Sequence, residues 1–432
     1  MRRTNLATVL VTVLTVLLAG LTLAPSASAK YQPQPGVITN NPLGPPAAKH
    51  RINDHLIRSI KSTPKRGKIR VHSWNIRSVR FVDALIAAHK RGVSVRAIIW
   101  IGNAERPGEP SIHGQTNLNP AFDRLTAALK KSGNKKRSKA RKSGTTRCKA
   151  SCRGRGGIAH SKYYLFSKVG KVKHVVVYGG ANATDLAATH QWNDVDTITG
   201  RQAIYDDFLK IFDQSYKDKP VKRAWVSTKR GKIEPQFYPH QGPGVFGDPV
   251  IKDIKRITCT GATNGVNGRT KIRIAMTSWH GDRGINIAKH LVAKQNQGCN
   301  VKIVYAVAGN EVLRVLRREG KKPIPLRQIT QDFDGDGVYD RYLHTKVMVV
   351  QGHWGGNRSA SMVWNGSANW SPLVMRSDEA GVRMNNAPRA RRYAKYVDWL
   401  YANPPVQARP NPTLMARTYS QGIDPYSKIE VD

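Results

Sequence analysis

The chain has 432 residues, 71 Lys and Arg against 28 Asp and Glu, a formal net charge of +43, and four cysteines. That length is enough for two domains that each bury a core, and so positive a surface points to polyanionic partners: phosphate-rich membranes, nucleic acid or acidic cell-wall polymers. Four thiols divided between the two halves argue against a four-thiolate zinc site and fit disulfides formed in an oxidising compartment.

In chain order, Arg2 and Arg3, the apolar run over 6–24 and the small residues Ala27-Ser28-Ala29 read as an export signal over 1–29, which predicts a secreted, extracellular protein. No later run is long and apolar enough to span a bilayer. A linker over 30–50 leads to a first domain over 51–234. Within it, residues 68–100, starting Lys68-Ile69-Arg70-Val71, have the pattern of strand, helix, strand. Residues 130–155 hold twelve Lys or Arg, no acid and no hydrophobic period, which predicts a mobile basic loop, pinched by a Cys148–Cys152 pairing and carrying its charge close to His160. Beyond that loop stand His160-Ser161-Lys162 on a strand, a second strand into the turn Gly179-Gly180-Ala181-Asn182, and an aromatic-rich helix over 203–216.

The Pro- and Gly-containing stretch 235–249 predicts a linker, after which, over 250–432, the order repeats. Lys271-Ile272-Arg273-Ile274 opens a strand, helix, strand unit over 271–305, bracketed by Cys259 and Cys299 as a second local pairing. Then come His344-Thr345-Lys346, the turn Gly366-Ser367-Ala368-Asn369 and a helix over 389–401. Even the turn after the first strand recurs, as Ser73-Trp74-Asn75 and Ser278-Trp279-His280. Such alternation predicts an α/β fold: two similar α/β-sandwich domains with mixed sheets, related by a pseudo-twofold, with the active site at their interface. Ahead of His344, Asp332, Asp334, Asp336 and Asp340 stand at positions 1, 3, 5 and 9 of a loop with Gly337 at position 6. This is the pattern of an oxygen-ligand calcium loop, with Leu343 in place of the bidentate Glu at position 12 and a solvated acidic turn as the alternative. Such a calcium would be structural.

On an extended strand, positions i and i+2 share a face, so each His points the same way as its Lys. Two imidazoles, two ammonium groups and the amides of Asn182 and Asn369 converging on one point suit one phosphodiester. The cations and amides offset charge on the phosphoryl oxygens, one neutral histidine attacks phosphorus, and the other, protonated, supplies the leaving alkoxide. No metal is required.

Both copies resemble the phospholipase D superfamily, whose signature is His-x-Lys, four residues, Asp, then a Gly-Ser-x-Asn turn. The resemblance implies that His160 is the nucleophile and His344 the general acid and base. It further implies that Lys162, Lys346, Asn182 and Asn369, with Ser367 and Gly180 in the turns, hold the phosphate. An acid after each turn, Asp194 and Glu379, with Asp378 as an alternative, would orient the imidazoles. Three departures stand out: Ser167 and Gln351 replace the motif Asp, and Gly180 replaces the turn Ser. The expected function is a secreted monomeric phosphodiesterase acting on phospholipid at a membrane surface, by hydrolysis and by transfer to alcohols. Tryptophans 74, 279, 354, 364 and 370 are expected at the lipid interface. The alternatives are a secreted endonuclease of the same superfamily, since nucleic acid also suits the charge, and a catalytically weak polyanion-binding protein.

Overall fold

The computed structural model describes residues 31–103, 119–318, 322–333 and 339–406. The export-signal reading over 1–29 lies outside them. From Tyr31 onward the chain forms one compact unit. Its strands are β1 (Gly36–Thr39), β2 (Lys68–His72), β3 (Ser94–Trp100), β4 (Gly144–Cys148), β5 (Tyr163–Val169), β6 (Val172–Gly179), β7 (Gln191–Trp192) and β8 (Asp194–Ile198) in the first half. Next come β9 (Val226–Ser227), β10 (Ile233–Phe237), β11 (Ile257–Thr258), β12 (Lys271–Trp279), β13 (Asn300–Ala308) and β14 (Leu326–Gln328). The last are β15 (Thr330–Gln331), β16 (Arg341–Leu343), β17 (Val347–Trp354), β18 (Asn357–Gly366) and β19 (Ala380–Asn385).

The two large sheets are versions of one another. The first runs β1-β8-β6-β5-β2-β3-β4 and the second β14-β13-β12-β17-β18-β19-β10-β9. Thus β8-β6-β5-β2-β3-β4 corresponds strand for strand to β19-β18-β17-β12-β13-β14. In each, a crossover helix, Val79–Lys90 or Gly281–Asn296, joins two parallel strands, a third parallel strand, β4 or β14, lies at the edge, and the ladder on the other side of β2 or β12 is antiparallel. The repeat reaches single side chains: Arg70 Nη1 donates to Ile69 O and Ser94 O, and Arg273 Nη1 to Ile272 O and Asn300 O, each at 2.9 Å.

Period-two alternation decides which core each strand residue enters. Tyr163 and Leu165 of β5, and Val347 and Val349 of β17, face a shared core that also takes Phe208 and Phe212 from the helix Gln202–Ser215 and Tyr393 and Val397 from the helix Ala387–Ala402. Tyr164 and Phe166, and Met348 and Val350, face outer cores, each closed by its own half's helices. Arg389 of the last helix reaches across to Asp196 of β8, tying the halves together.

Three expectations change. The stretch 235–249 does not begin as a linker: Pro235 and Phe237 lie in β10, which pairs with β19, so the chain enters the second sheet earlier than its Pro and Gly content suggests. The basic stretch 130–155 is not a loop throughout, because Gly144–Cys148 is the edge strand β4, parallel to β3. An edge strand with one partner and partly exposed faces leaves no hydrophobic period to read. Nor does the stretch deliver all its charge to one place. Residues 137–142 are fastened to the start of β3, where Arg137 donates to His89 O and Val93 O and Arg96 donates to Lys139 O and Lys142 O. The chemistry of His160 lies at the other end of β3, about 20 Å away at about 3.3 Å per residue. Both expected disulfides are present, Cys148–Cys152 and Cys259–Cys299.

Candidate active site

Both His-x-Lys segments sit just before an antiparallel strand, β5 or β17, that begins beside the C-terminal half of a parallel strand, β2 or β12. The lysines are pinned in matching ways: Lys162 Nζ donates to His160 O at 2.9 Å and Lys346 Nζ to His344 O at 3.0 Å. All four side chains are buried. The turn glycines are needed because a Cβ on Gly179 would overlap Asp194 O, and one on Gly366 would overlap Ala380 O. Each turn then returns its Asn to the site with the carboxamide oxygen already occupied, by Ser73 Oγ on Asn182 and by Ser278 N on Asn369, both at 3.2 Å. The Ser-Trp turns that recur in the sequence therefore aim the two amides. Nδ2 of Asn182 is buried and has no hydrogen-bond partner among the described residues, as a donor kept for a ligand would be.

The halves meet through backbone bonds on either side of the site. His160 N donates to Asp378 O at 3.0 Å, and His344 N donates to Trp192 O at 2.9 Å. β16, which leads into His344, runs parallel to β7 of the first half, and Ala159 bridges Asp378 in the same sense. Each imidazole is accordingly held by the half it does not belong to. His160 Nδ1 lies 2.7 Å from Glu379 Oε1, whose other oxygen accepts from Ser367 Oγ at 2.5 Å. His344 Nδ1 lies 2.9 Å from Oδ1 of Asn193. The two histidines interact electrostatically across the site, and Lys162 acts on both Glu379 and His344.

Asp194, expected to orient an imidazole, is not bonded to the ring of His344. Its carboxylate accepts from Tyr393 Oη at 2.6 Å. The register explains the miss. Gly180 N bonds Asp194 O and Ser367 N bonds Ala380 O, so Asp194 corresponds to Ala380 and Asn193 to Glu379. One residue along a strand reverses the face, so the acid that reads correctly in the sequence points away from the imidazole. Asp378 is likewise not the partner of His160; its Oδ2 accepts from Cys152 N. The absent motif acids are structural: Ser167 Oγ accepts from Lys68 N at 2.9 Å, and Gln351 pairs with Lys271 in the ladder, both far from the histidines along their strands. Gly180 is obligatory here, since a Cβ would come 2.5 Å from His344 O.

Burial sets the electrostatics. Desolvation pushes Glu379 up to about 7 against the pull of Lys162, and Asp378 to about 7 against Arg153. Asp194 is raised by burial to about 6. His344 is held well below the ordinary imidazole range, first by burial and then by Lys346, Lys162 and His160. Trp74, Trp279, Trp354 and Trp370 are buried, so four of the five tryptophans expected at a lipid interface serve packing instead; Trp74 lies edge-on to His160. In the acidic loop, Asp334 and Asp336 lie outside the described residues. Asp340 Oδ2 accepts from Phe333 N at 2.6 Å, and among the described residues no three His, Cys, Asp or Glu gather as metal ligands.

A family model described as cardiolipin synthase, PLD-like domain, matches residues 56–216 and 266–401. The fold is similar to phosphatidylserine synthase from Haemophilus influenzae Rd KW20, with a TM-score of 0.55 and 12% identity over 93% of this chain and 96% of that one. It is also similar to polyphosphate kinase from Porphyromonas gingivalis, with a TM-score of 0.50 and 10% identity over 90% of this chain; the chain spans 55% of the kinase's length. Yeast tyrosyl-DNA phosphodiesterase aligns with a TM-score of 0.44 and 11% identity over 82% of this chain and 92% of that one. No curated protein matches in sequence. With both repeats matched, each match containing its own His-x-Lys, the chain belongs to the PLD-like family of the phospholipase D superfamily.

Proposed function

We propose that this chain is a secreted phosphodiesterase of phospholipase D type that hydrolyses phospholipids, and passes the phosphatidyl group to alcohols, through a phosphohistidine on His160. The observation that carries the reading is the crossed bracing of the histidines, each with Nδ1 fixed by the opposite half. A neutral imidazole that donates from Nδ1 keeps its lone pair on Nε2. His160 Nε2 attacks phosphorus, the bond to the head-group oxygen breaks, and that oxygen takes a proton from His344. His344 then removes a proton from water or an alcohol, whose oxygen attacks phosphorus and releases His160. Glu379 offsets the positive charge that His160 acquires, while Lys162, Lys346 and Asn182 supply charge and donors to the phosphoryl oxygens. Every step is assigned to side chains, and none uses a metal.

Lipid is favoured because the matched family is described as cardiolipin synthase and one neighbour, aligned over nearly the whole of both chains, is a phosphatidylserine synthase. A second reading, a nuclease, is favoured by the charge of +43 and by the exposed lysines 130, 131, 135, 136, 139 and 142, grouped at the end of the first sheet away from His160. The deciding experiment supplies phosphatidylcholine vesicles and plasmid DNA in parallel, with chelator present. Choline release that disappears in His160→Ala supports the lipase; nicked plasmid without choline release moves the assignment to the nuclease; inertness towards both removes the two readings together. Export is tested by sequencing the N-terminus of protein recovered outside the cell, expected to begin at Lys30.

A further inference from the structure

The two halves are not equivalent at the position that braces the partner histidine. Glu379 puts a carboxylate on His160, whereas its counterpart Asn193 puts a carboxamide on His344. The orientation of that amide is fixed independently. Asn193 Nδ2 donates to Ala187 O at 3.1 Å and to Gln191 Oε1 at 2.8 Å, and Gln191 Nε2 is itself committed to Tyr342 Oη at 2.7 Å. The Asn193 backbone N donates to Asn40 Oδ1 at 2.7 Å. Oδ1 is therefore the atom facing His344, and it can only accept. The turn hydroxyl has gone from the same half: Ser367 Oγ supports Glu379, while Gly180 has nothing to offer Asn193.

The charge around His344 is set by these neighbours. Lys346 from its own segment and Lys162 and His160 from the opposite one all oppose a proton on it. Of the nearby acids, Glu379 is spent on His160 and Ser367, and Asp194 on Tyr393. Tyr342, which lies edge-on to the ring, brings no charge. A carboxylate on Nδ1 would stabilise the imidazolium; an amide oxygen orients the ring without supplying the counter-charge.

We propose that Asn193 is the positioning residue of His344, and that its neutral amide leaves the His344 imidazolium to be stabilised by the bound phosphodiester, so that the general acid is loaded only when substrate arrives. The inference rests on the phosphodiesterase reading and specifies its proton inventory. In the free protein His344 is neutral. The anionic diester brings one proton from solvent onto His344 Nε2, and that proton leaves on the head-group oxygen as the bond from phosphorus to His160 Nε2 forms. Because its imidazolium has no resident counter-ion, His344 is a strong donor, suited to a poor alkoxide leaving group.

Two measurements test this. In choline release by the wild type, the alkaline limb of kcat/KM, which reports the free enzyme, should lie below about 6.5, the ordinary imidazole value, and the limb of kcat, which reports the complex, should lie at higher pH. Asn193→Asp should move the kcat/KM limb up by about one pH unit or more. Hydrolysis of bis(p-nitrophenyl) phosphate, whose leaving group needs no proton, should show no such limb in either protein. Because the Asp variant faces the Ala187 and Gln191 oxygens and could fold poorly, the wild type is also titrated by NMR with labelled histidine, His344 being assigned from the signal missing in His344→Asn. Its ring should be neutral at pH 7 and should protonate when inorganic phosphate is added. A His344 already protonated in the free protein, coincident limbs in kcat and kcat/KM, or an Asp variant whose limb does not move would each overturn the proposal. Absence of all turnover would sink the phosphodiesterase reading instead and leave the titration to decide this one.

Discussion

Replacing Glu379 with Gln should separate stability from catalysis. The carboxylate is 2% exposed, bonds His160 and Ser367, and is raised by burial from 4.5 to about 7. A carboxyl group that binds its proton more tightly in the folded state loses stability as pH rises. The loss starts near 4.5, is complete above about 7, and amounts to about 3 kcal/mol at about 1.36 kcal/mol per pH unit. Gln has nearly the same shape and carries no charge to desolvate. It can present Oε1 to His160 Nδ1 and Nε2 to Ser367 Oγ. Thermal melts of the variant and the wild type should therefore nearly coincide at pH 4.5 and diverge in favour of the variant by pH 8. The same change removes a charge-assisted hydrogen bond to the imidazole that becomes cationic, worth about 1.5–3 kcal/mol, which is about a 10- to 150-fold loss of kcat. A variant that melts below the wild type at pH 8, or that keeps full activity, would refute this account of Glu379.

Gly180→Ser restores the residue that the family carries at this turn, yet its Cβ would meet His344 O at 2.5 Å. It should destabilise by about 1–3 kcal/mol in chemical denaturation and lower activity by shifting His344, with no gain from the hydroxyl. Tyr393→Phe withdraws the donor from Asp194, a carboxylate buried in the shared core with Oδ1 already unpartnered among the described residues. The expected cost is about 1–3 kcal/mol, larger at pH 8 than at pH 5, because Asp194, already raised to about 6, ionises between those values. Changing Lys135, Lys136 and Lys139 together to Glu should weaken binding to plasmid DNA and flatten its salt dependence, while kcat for bis(p-nitrophenyl) phosphate stays unchanged; a fall in that kcat would show that these lysines act at the catalytic end.

Much of the architecture is legible in the sequence because it is written twice. The matched runs at Lys68 and Lys271, the paired His-x-Lys segments and the paired glycine turns each depend on local periodicity and backbone space, and a repeat lets one copy check the other. The short separation of Cys148 from Cys152, and the placing of Cys259 and Cys299 around one strand and helix, made both pairings readable too. Composition could not place the basic stretch: it contains an edge strand, and the charge either side of that strand goes to opposite ends of a sheet. Nor could the sequence choose between Asn193 and Asp194, or between Asp378 and Glu379. Which neighbour faces a histidine is fixed by the ladder hydrogen bonds of β6 with β8 and β18 with β19, and by backbone bonds made across the halves. Chemistry favours the acid in the first pair and does not separate the two acids of the second, but a side chain points where its strand register sends it, and register is a property of two segments brought together. The histidines were therefore decided by the chain, and their partners by the fold.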